Sequence, residues 1–304
     1  MNFRMKQPDI LCIGSFLWDI IGRSSSSMRA GSDVPGRITR LPGGVAMNIA
    51  MTLNNFGLTP AALSAVGRDI EGDELVGEAA RLGIITDYVY RSEDLPTDSY
   101  MAIEGANGLI AAIADAHSLE QAGTKILRPM SNGTLGSEAN PWTGLVALDG
   151  NLTRDLLADI AHSPLFAASD LRVAPASPGK AERLLALVGH PSATLYVNLE
   201  EAGLLCQTTF KTAQDGAKAL TARGVHRALV TDGGNPAAEC QNGDILTAQP
   251  PEVLVTRVTG AGDTFMAAHI ASEIQGMPRQ AALERALNAA ATYDSGQTPS
   301  RPYQ

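Results

Sequence analysis

Short unbroken apolar runs alternate along this chain with longer stretches in which apolar residues return every three or four positions. Ile10-Leu11-Cys12-Ile13-Gly14 is the first run, and it predicts a buried strand. After Pro42-Gly43-Gly44, the spacing of Val45, Ile49, Leu53 and Phe56 predicts a helix that Gly57 ends. Residues 61–66 read as the next strand, and Leu75, Val76, Ala79 and Leu82 give a helix over 71–82. From Leu145 onward the alternation is regular. Strands are predicted over 145–148, 171–174, 194–197 and 227–230, and helices around 153–161, 178–188, 211–223, 264–275 and 279–292. Runs apolar on both faces, separated by helices, specify an α/β chain with a mostly parallel sheet covered by helices.

Three stretches break the rhythm. Residues 22–42, rich in Ser, Gly, Arg and Pro, carry no helical period and read as an excursion from the sheet. Residues 100–104 and 109–113 flank Gly105-Ala106-Asn107-Gly108, which predicts a hairpin with a four-residue loop. A hairpin inside a βα chain implies a second, small β-sheet, usable as a lid. Residues 118–143 read as loop.

Composition narrows the function classes. A chain of 304 residues suits one large α/β domain with an appendage, or two domains, and 44% hydrophobic residues supply a substantial core. The net charge of −9, with only 23 Lys and Arg, argues against nucleic acid as a partner. Cys12, Cys206 and Cys240 are scattered and form no CxxC pair, which points to a reducing cytoplasm. Residues 1–9 show no signal-peptide pattern, and no apolar stretch approaches the ~18 residues of a membrane span. No histidine pair has metal-ligand spacing, so neither structural zinc nor a His-dependent triad is expected; His269 reads as a packed or half-exposed residue.

The densest chemistry lies in Val258-Thr259-Gly260-Ala261-Gly262-Asp263-Thr264-Phe265, just before an amphipathic helix. Small residues there let backbone amides and the helix's positive end form an anion pocket. An aspartate would repel a phosphate, but it suits a general base taking a proton from an incoming hydroxyl. With an ordinary pKa near 4, Asp263 is expected to be ionised at neutral pH. The competing reading is a Gly-rich turn with Asp263 as a helix N-cap. No Lys-Ser/Thr pair follows the glycines, so this is no Walker A loop.

Other candidates sit at strand ends. Asp19, just past the first strand, can bind substrate hydroxyls or be a solvated loop acid. Asn48, in the first turn after the Gly43-Gly44 pair, can donate to and accept from a sugar hydroxyl or be satisfied by nearby backbone. Asn198 and Glu201 share a helical face and suit a hydrated Mg²⁺ beside phosphates; the plain alternative is a helix cap with a first-turn acid. Thr231 and the glycine turn at Gly233 can contact nucleotide phosphates or merely connect elements. Asn288, among alanines, can lie beside a flat ring or be a surface polar residue.

Taken in order, Gly43-Gly44…Asn48, Asn198…Glu201, Thr231-Asp232-Gly233 and Gly260-Ala261-Gly262-Asp263 resemble the PfkB-type, ribokinase-like carbohydrate and nucleoside kinases over nearly the whole chain. The resemblance implies one kinase domain with a Rossmann-type core, lid segments about 15–42 and 97–115, and a homodimer formed through the lid. It implies Asp263 as the base and Gly260, Ala261 and Gly262 as the anion hole. Asp19, Gly43, Gly44 and Asn48 would hold the sugar, and Asn198, Thr231, Gly233 and Asn288 the ATP, with Glu201 on Mg²⁺. Within the family, Asp149-Gly150-Asn151-Leu152 and Pro175-Ala176-Ser177-Pro178-Gly179-Lys180-Ala181 are most similar to pseudouridine kinases. That implies phosphorylation of the ribose 5′-hydroxyl of pseudouridine. The alternatives are a kinase for ribose, fructose or a keto-deoxy sugar acid, and a non-catalytic nucleoside or sugar sensor. Two departures stand out. Arg257 replaces an acid that helps bind a monovalent cation in the family, which argues against K⁺ activation. Pro236 replaces a glycine of the nucleotide loop.

Overall fold

A computed structural model of the chain describes residues 7–257 and 259–299, so Val258 of the glycine motif lies outside the described residues. The strands are β1 (Ile10–Ile13), β2 (Leu17–Arg23), β3 (Arg37–Gly43), β4 (Pro60–Leu63), β5 (Ala65–Gly67), β6 (Tyr90–Ser92) and β7 (Ser99–Gly105) in the first part of the chain. They continue with β8 (Gly108–Asp115), β9 (Leu145–Asp149), β10 (Asp170–Ala174), β11 (Thr194–Asn198), β12 (Arg227–Asp232), β13 (Asn235–Gln241) and β14 (Asp244–Ala248). The main sheet runs β14-β13-β12-β11-β10-β9-β1-β4. Its neighbours are parallel from β12 through β4, and β13 and β14 extend the other edge antiparallel.

The strand pleat sorts the apolar runs onto two faces. Leu11, Ile13, Val146, Leu148, Leu171 and Val173 point into one core. Cys12, Ala62, Ala147 and Leu229 point into the other, against Met47 and Ile49 of the helix Val45–Asn55 and Phe265, Met266 and Ile270 of the helix Ala261–Ile274. This is the expected α/β class, with the sheet buried between two layers.

A second, four-stranded sheet has the order β3-β2-β7-β8. Strands β2 and β7 pair in parallel and hold the two hairpin-like pairs together. The two predicted lid segments therefore meet in one sheet. Part of the predicted excursion, Arg37–Gly43, is itself a strand of it. Gly105 and Gly108 form the last rung of the β7–β8 ladder, which shortens the expected four-residue loop to Ala106-Asn107. Gly108, at φ 92°, supplies the backbone such a tight turn needs.

Three further differences have local causes. The expected strand over 61–66 divides at Ser64, its first half joining the main sheet and its second half pairing with β6. Residues 118–143 are not all loop: short helical turns at His117–Ala122, Gly123–Leu127 and Arg128–Ser131 bury Leu119, Ile126 and Met130. Each turn is too short to carry a readable helical period. The expected helix at 178–188 is a 3₁₀ helix, Pro178–Leu187. Its buried residues, Ala181, Leu184 and Leu187, recur every three positions, the period of that helix.

Candidate active site

Because β1 and β9–β12 are parallel, their carboxyl ends open on the same side of the sheet. A cavity of about 700 Å³ lies there. Its size is that of a small-ligand site and its place is where open α/β sheets bind ligands. The strand ends contribute Asn151, Tyr196, Asn198 and Thr231, and the lid contributes Asp19, Tyr100 and Leu109.

Asp263 lines the cavity from the first turn of the helix Ala261–Ile274. The N-cap is Gly260, at φ 96° and with no side-chain cap bond, so Asp263 is not the cap. A Cβ at Gly260 would meet the Tyr293 hydroxyl at 2.6 Å, and only glycine fits there. The first-turn amides lack intrahelical acceptors, and with the helix dipole they make an anion site beside the carboxyl group. Asn48 Nδ2 donates to Asp263 Oδ2 at 2.9 Å. Burial pushes the Asp263 pKa up to about 8; the Asn48 bond opposes the rise, and Asp149, Asp19 and Glu201 add to it. This corrects the expectation of a carboxyl group ionised at neutral pH: in the ligand-free protein it holds its proton well past the ordinary range.

Asp19 lies on β2 rather than in a loop, and burial raises its pKa to about 6. Its carboxyl group rests on Gly43, where an added Cβ would fall 2.1 Å from Oδ2. Gly44, at φ 94°, begins the Val45–Asn55 helix where an added Cβ would fall 2.5 Å from the Ser15 carbonyl oxygen. Gly43 thus makes room for Asp19, and Gly44 aims the helix start that carries Asn48.

Asn198 and Glu201 form a capping box: Glu201 N–H donates to Asn198 Oδ1 and Asn198 N–H to Glu201 Oε2, each at 2.8 Å. The cap reading is therefore present in the structure, and both residues also line the cavity. The box engages only one Glu201 carboxyl oxygen. Burial raises the Glu201 pKa to about 7, with Glu200 adding and the Asn198 amide opposing. Among the described residues no cluster of His, Cys, Asp or Glu could hold a metal by itself. The second Glu201 carboxyl oxygen takes no part in the box, and a lone protein oxygen of that kind suits Mg²⁺, which keeps several waters.

Thr231 lines the cavity from β12, whereas Gly233, in the exposed turn behind it at φ 55°, does not. Pro236 falls within β13. Asn288 is exposed on the helix Arg279–Asp294 and donates to the Glu284 carbonyl, outside the cavity lining. Ala261 and Gly43 are not among the cavity-lining residues, whereas their neighbours Gly260, Gly262 and Gly44 are. His269 is fully buried, its Nδ1 2.9 Å from the Tyr196 hydroxyl, as a packed residue. Arg257 is committed elsewhere: it donates to the Gly296 carbonyl at 2.8 Å and lies 4.7 Å over the Tyr293 ring.

Sequence reasoning gave no chemical role to Ser15, Asp149, Asn151, Tyr196 or Lys180. Asp149 is fully buried, and it accepts from the Ser15 and Asn151 amides at 2.7 Å each and from the Ser15 hydroxyl. The available signal was position: Ser15, Asp149, Asn151 and Tyr196 lie on or just after strands of the parallel sheet, and Asn151 and Lys180 stand in the stretches that resemble pseudouridine kinases.

The profile of the pfkB family carbohydrate kinases matches residues 7–293. A pseudouridine kinase of Escherichia coli strain K12 is 28% identical over 284 residues, covering 90% of this chain and 87% of that protein. Among solved structures, a carbohydrate kinase from Agrobacterium tumefaciens has a TM-score of 0.76 at 25% identity, covering 94% of this chain and 90% of that one. An Arabidopsis thaliana ribokinase complexed with ribose and ATP has a TM-score of 0.73 at 19% identity, over 95% and 93% of the two chains. At that identity the likeness is one of fold.

Proposed function

This chain belongs to the pfkB family of carbohydrate kinases, and from that premise we propose that it transfers the γ-phosphoryl group of ATP to the ribose 5′-hydroxyl of pseudouridine. The observation that carries the reading is Asp263, held by Asn48 inside the cavity at the start of an uncapped helix. A carboxyl group beside a cluster of free amides is what phosphoryl transfer to a hydroxyl requires: a proton acceptor next to a site for developing negative charge. A pKa of about 8 suits the task, since an effective base titrates near the working pH. The 28% identity to a pseudouridine kinase supports the choice of acceptor.

In this reading Asp19 and Asn48, with Gly43 and Gly44 behind them, hold the ribose. Gly260, Ala261 and Gly262 receive the moving phosphoryl group. Asn198 and Thr231 meet the nucleotide from the strand ends and Gly233 from the adjoining turn; Asn288, bonded to its own helix outside the cavity lining, takes no part in this reading. Glu201 would hold Mg²⁺ through its carboxyl group and waters; when bound, the ion neutralises and orients phosphate oxygens. Asp263 takes the 5′-hydroxyl proton as that oxygen attacks the phosphoryl group.

The whole chain acts as one kinase domain, in the cytoplasm, with the four-stranded sheet as lid. That sheet exposes Ile38 (80%) and Ile113 (69%), and covering them supports a homodimer formed through the lid. The intact Asn48–Asp263 pair disfavours a non-catalytic sensor. The test is ATP consumption with Mg²⁺ against pseudouridine, uridine, adenosine, ribose, fructose and a keto-deoxy sugar acid. Turnover on pseudouridine well above the rest supports the proposal. Preference for a free sugar replaces it with the sugar-kinase alternative.

A further inference from the structure

The cavity is electrostatically lopsided. Asp19, Glu201 and Asp263 line it with carboxyl groups, and Lys180 is the one Lys or Arg in the lining among the described residues. Lys180 stands in the first turns of the 3₁₀ helix Pro178–Leu187, and its ammonium donates to Asn151 Oδ1 at 2.6 Å.

The direction of that bond is fixed by the structure behind it. Asn151 is 8% exposed, and its Nδ2 donates to Ser15 Oγ at 3.1 Å. Ser15 Oγ also accepts from the Val45 amide at 3.0 Å, at the start of the helix that carries Asn48. Since the Asn151 amide nitrogen is engaged by Ser15, its oxygen must face Lys180. Arg183 clamps the same turn by donating to the Asn151 and Leu152 carbonyls at 2.9 and 3.2 Å. Lys180 is thus held at one N–H, and its other N–H groups have no protein partner among the described residues.

The helix that carries it is anchored at the lid. Arg183, one turn along the same 3₁₀ helix, pairs with Glu120 at 2.8 Å, in the helix His117–Ala122 that directly follows the lid strand β8. Asp98 lies at the foot of the lid, where it accepts from the Ser118 and Leu119 amides. The 3₁₀ helix that carries Lys180 is thus tied to the foot of the lid. On the lid side the lining is Leu109, Ala112 and Ala114 of β8, an apolar wall suited to the face of a flat ring. Burial lowers the Lys180 pKa, but an N–H remains to donate in either protonation state.

We propose that Lys180, aimed by Asn151, donates a hydrogen bond to a carbonyl oxygen on the ring of a nucleoside acceptor, and so selects ring-bearing acceptors over free sugars. The inference rests on the nucleoside reading given above and deepens it. A half-buried donor left unpaired disfavours any acceptor without a matching oxygen.

The test uses the intact chain, with steady-state KM values for pseudouridine and for ATP, for the wild type, Lys180→Met and Lys180→Arg. Lys180→Met raises the KM for pseudouridine roughly 10- to 100-fold while the KM for ATP moves less than about twofold, and Lys180→Arg recovers part of the loss. A second arm needs no variant: the wild type discriminates by a similar factor against a C-riboside whose ring is phenyl, without carbonyls, and Lys180→Met does not discriminate. An unchanged KM for pseudouridine in a folded Lys180→Met, or a rise in the KM for ATP instead, overturns the role of Lys180 while leaving the nucleoside reading intact. Equal turnover of the two ribosides by the wild type does the same. A wild type that accepts only free sugars overturns both.

Discussion

Asn48 Nδ2 donates to Asp263 Oδ2 at 2.9 Å, joining two helix starts that are 215 positions apart in the chain. Each helix starts at a glycine with positive φ, Gly44 and Gly260. The two glycines let the chain turn sharply into the cavity, and the first turns that follow place a carboxyl group and an amide in contact. The bond favours the ionised carboxyl group, while burial and three neighbouring acids favour the protonated one, and burial wins.

That balance makes a stability prediction. The folded pKa of Asp263 is about 8 against an ordinary 3.8, so the folded state prefers the proton. Stability therefore falls as pH rises from about 4 toward 8, where the unfolded chain ionises this group and the folded one resists. Asp263→Asn keeps a neutral side chain at every pH. Its melting temperature exceeds the wild type's by a margin that is small at pH 5 and larger at pH 8, as measured by thermal melts at both values.

The same balance shapes the pH–rate profile. At limiting acceptor, kcat/KM rises with pH through an apparent pKa near 8, because only the ionised Asp263 accepts a proton. Asn48→Ala removes the side-chain hydrogen bond that lowers this pKa, so the rising limb moves to higher pH. A limb near pH 4 in the wild type would contradict the buried geometry.

Glu201 has two roles that substitution separates. Glu201→Gln keeps an oxygen for the Asn198 amide and so keeps the cap, but it removes the charge offered to Mg²⁺. Its melting temperature holds while half-maximal activity needs more Mg²⁺. Glu201→Ala also removes the acceptor of the Asn198 amide, one half of the capping box, and it melts earlier. Unchanged Mg²⁺ dependence in Glu201→Gln would leave the residue with the cap alone.

Arg257 bears on monovalent ions. Its guanidinium is bonded to the Gly296 carbonyl and stacked on Tyr293, so it offers a cation where an acid would offer a ligand. Replacing Na⁺ by K⁺ at constant ionic strength leaves the turnover rate unchanged; a severalfold rise contradicts this.

The parallel sheet was legible because its strands are apolar on both faces, as Ile10–Ile13 and Leu145–Asp149 show. The glycine motif and Asn48 could be read because each lies at a helix start, where local sequence dictates geometry. The short turns of 117–131 could not, since none lasts long enough to repeat. Nor could the protonation of Asp263, which depends on its burial and on Asp149, Asp19 and Glu201 arriving from the end of β9, the lid strand β2 and the helix after β11. Lys180 stood in a stretch already singled out, but its direction depends on Asn151 and Ser15, and only the folded chain brings those together. Asn288 shows the opposite case: its Ala-rich surroundings suggested a ring-binding face, yet it points to solvent and to its own helix.

The most direct test of the account is the rate of ADP formation from ATP, Mg²⁺ and saturating pseudouridine by the wild type and by Asp263→Asn. The account predicts ready turnover by the wild type and a loss of about 10²- to 10⁴-fold in the variant, with its fold retained. An Asp263→Asn variant that turns over as fast as the wild type would contradict it.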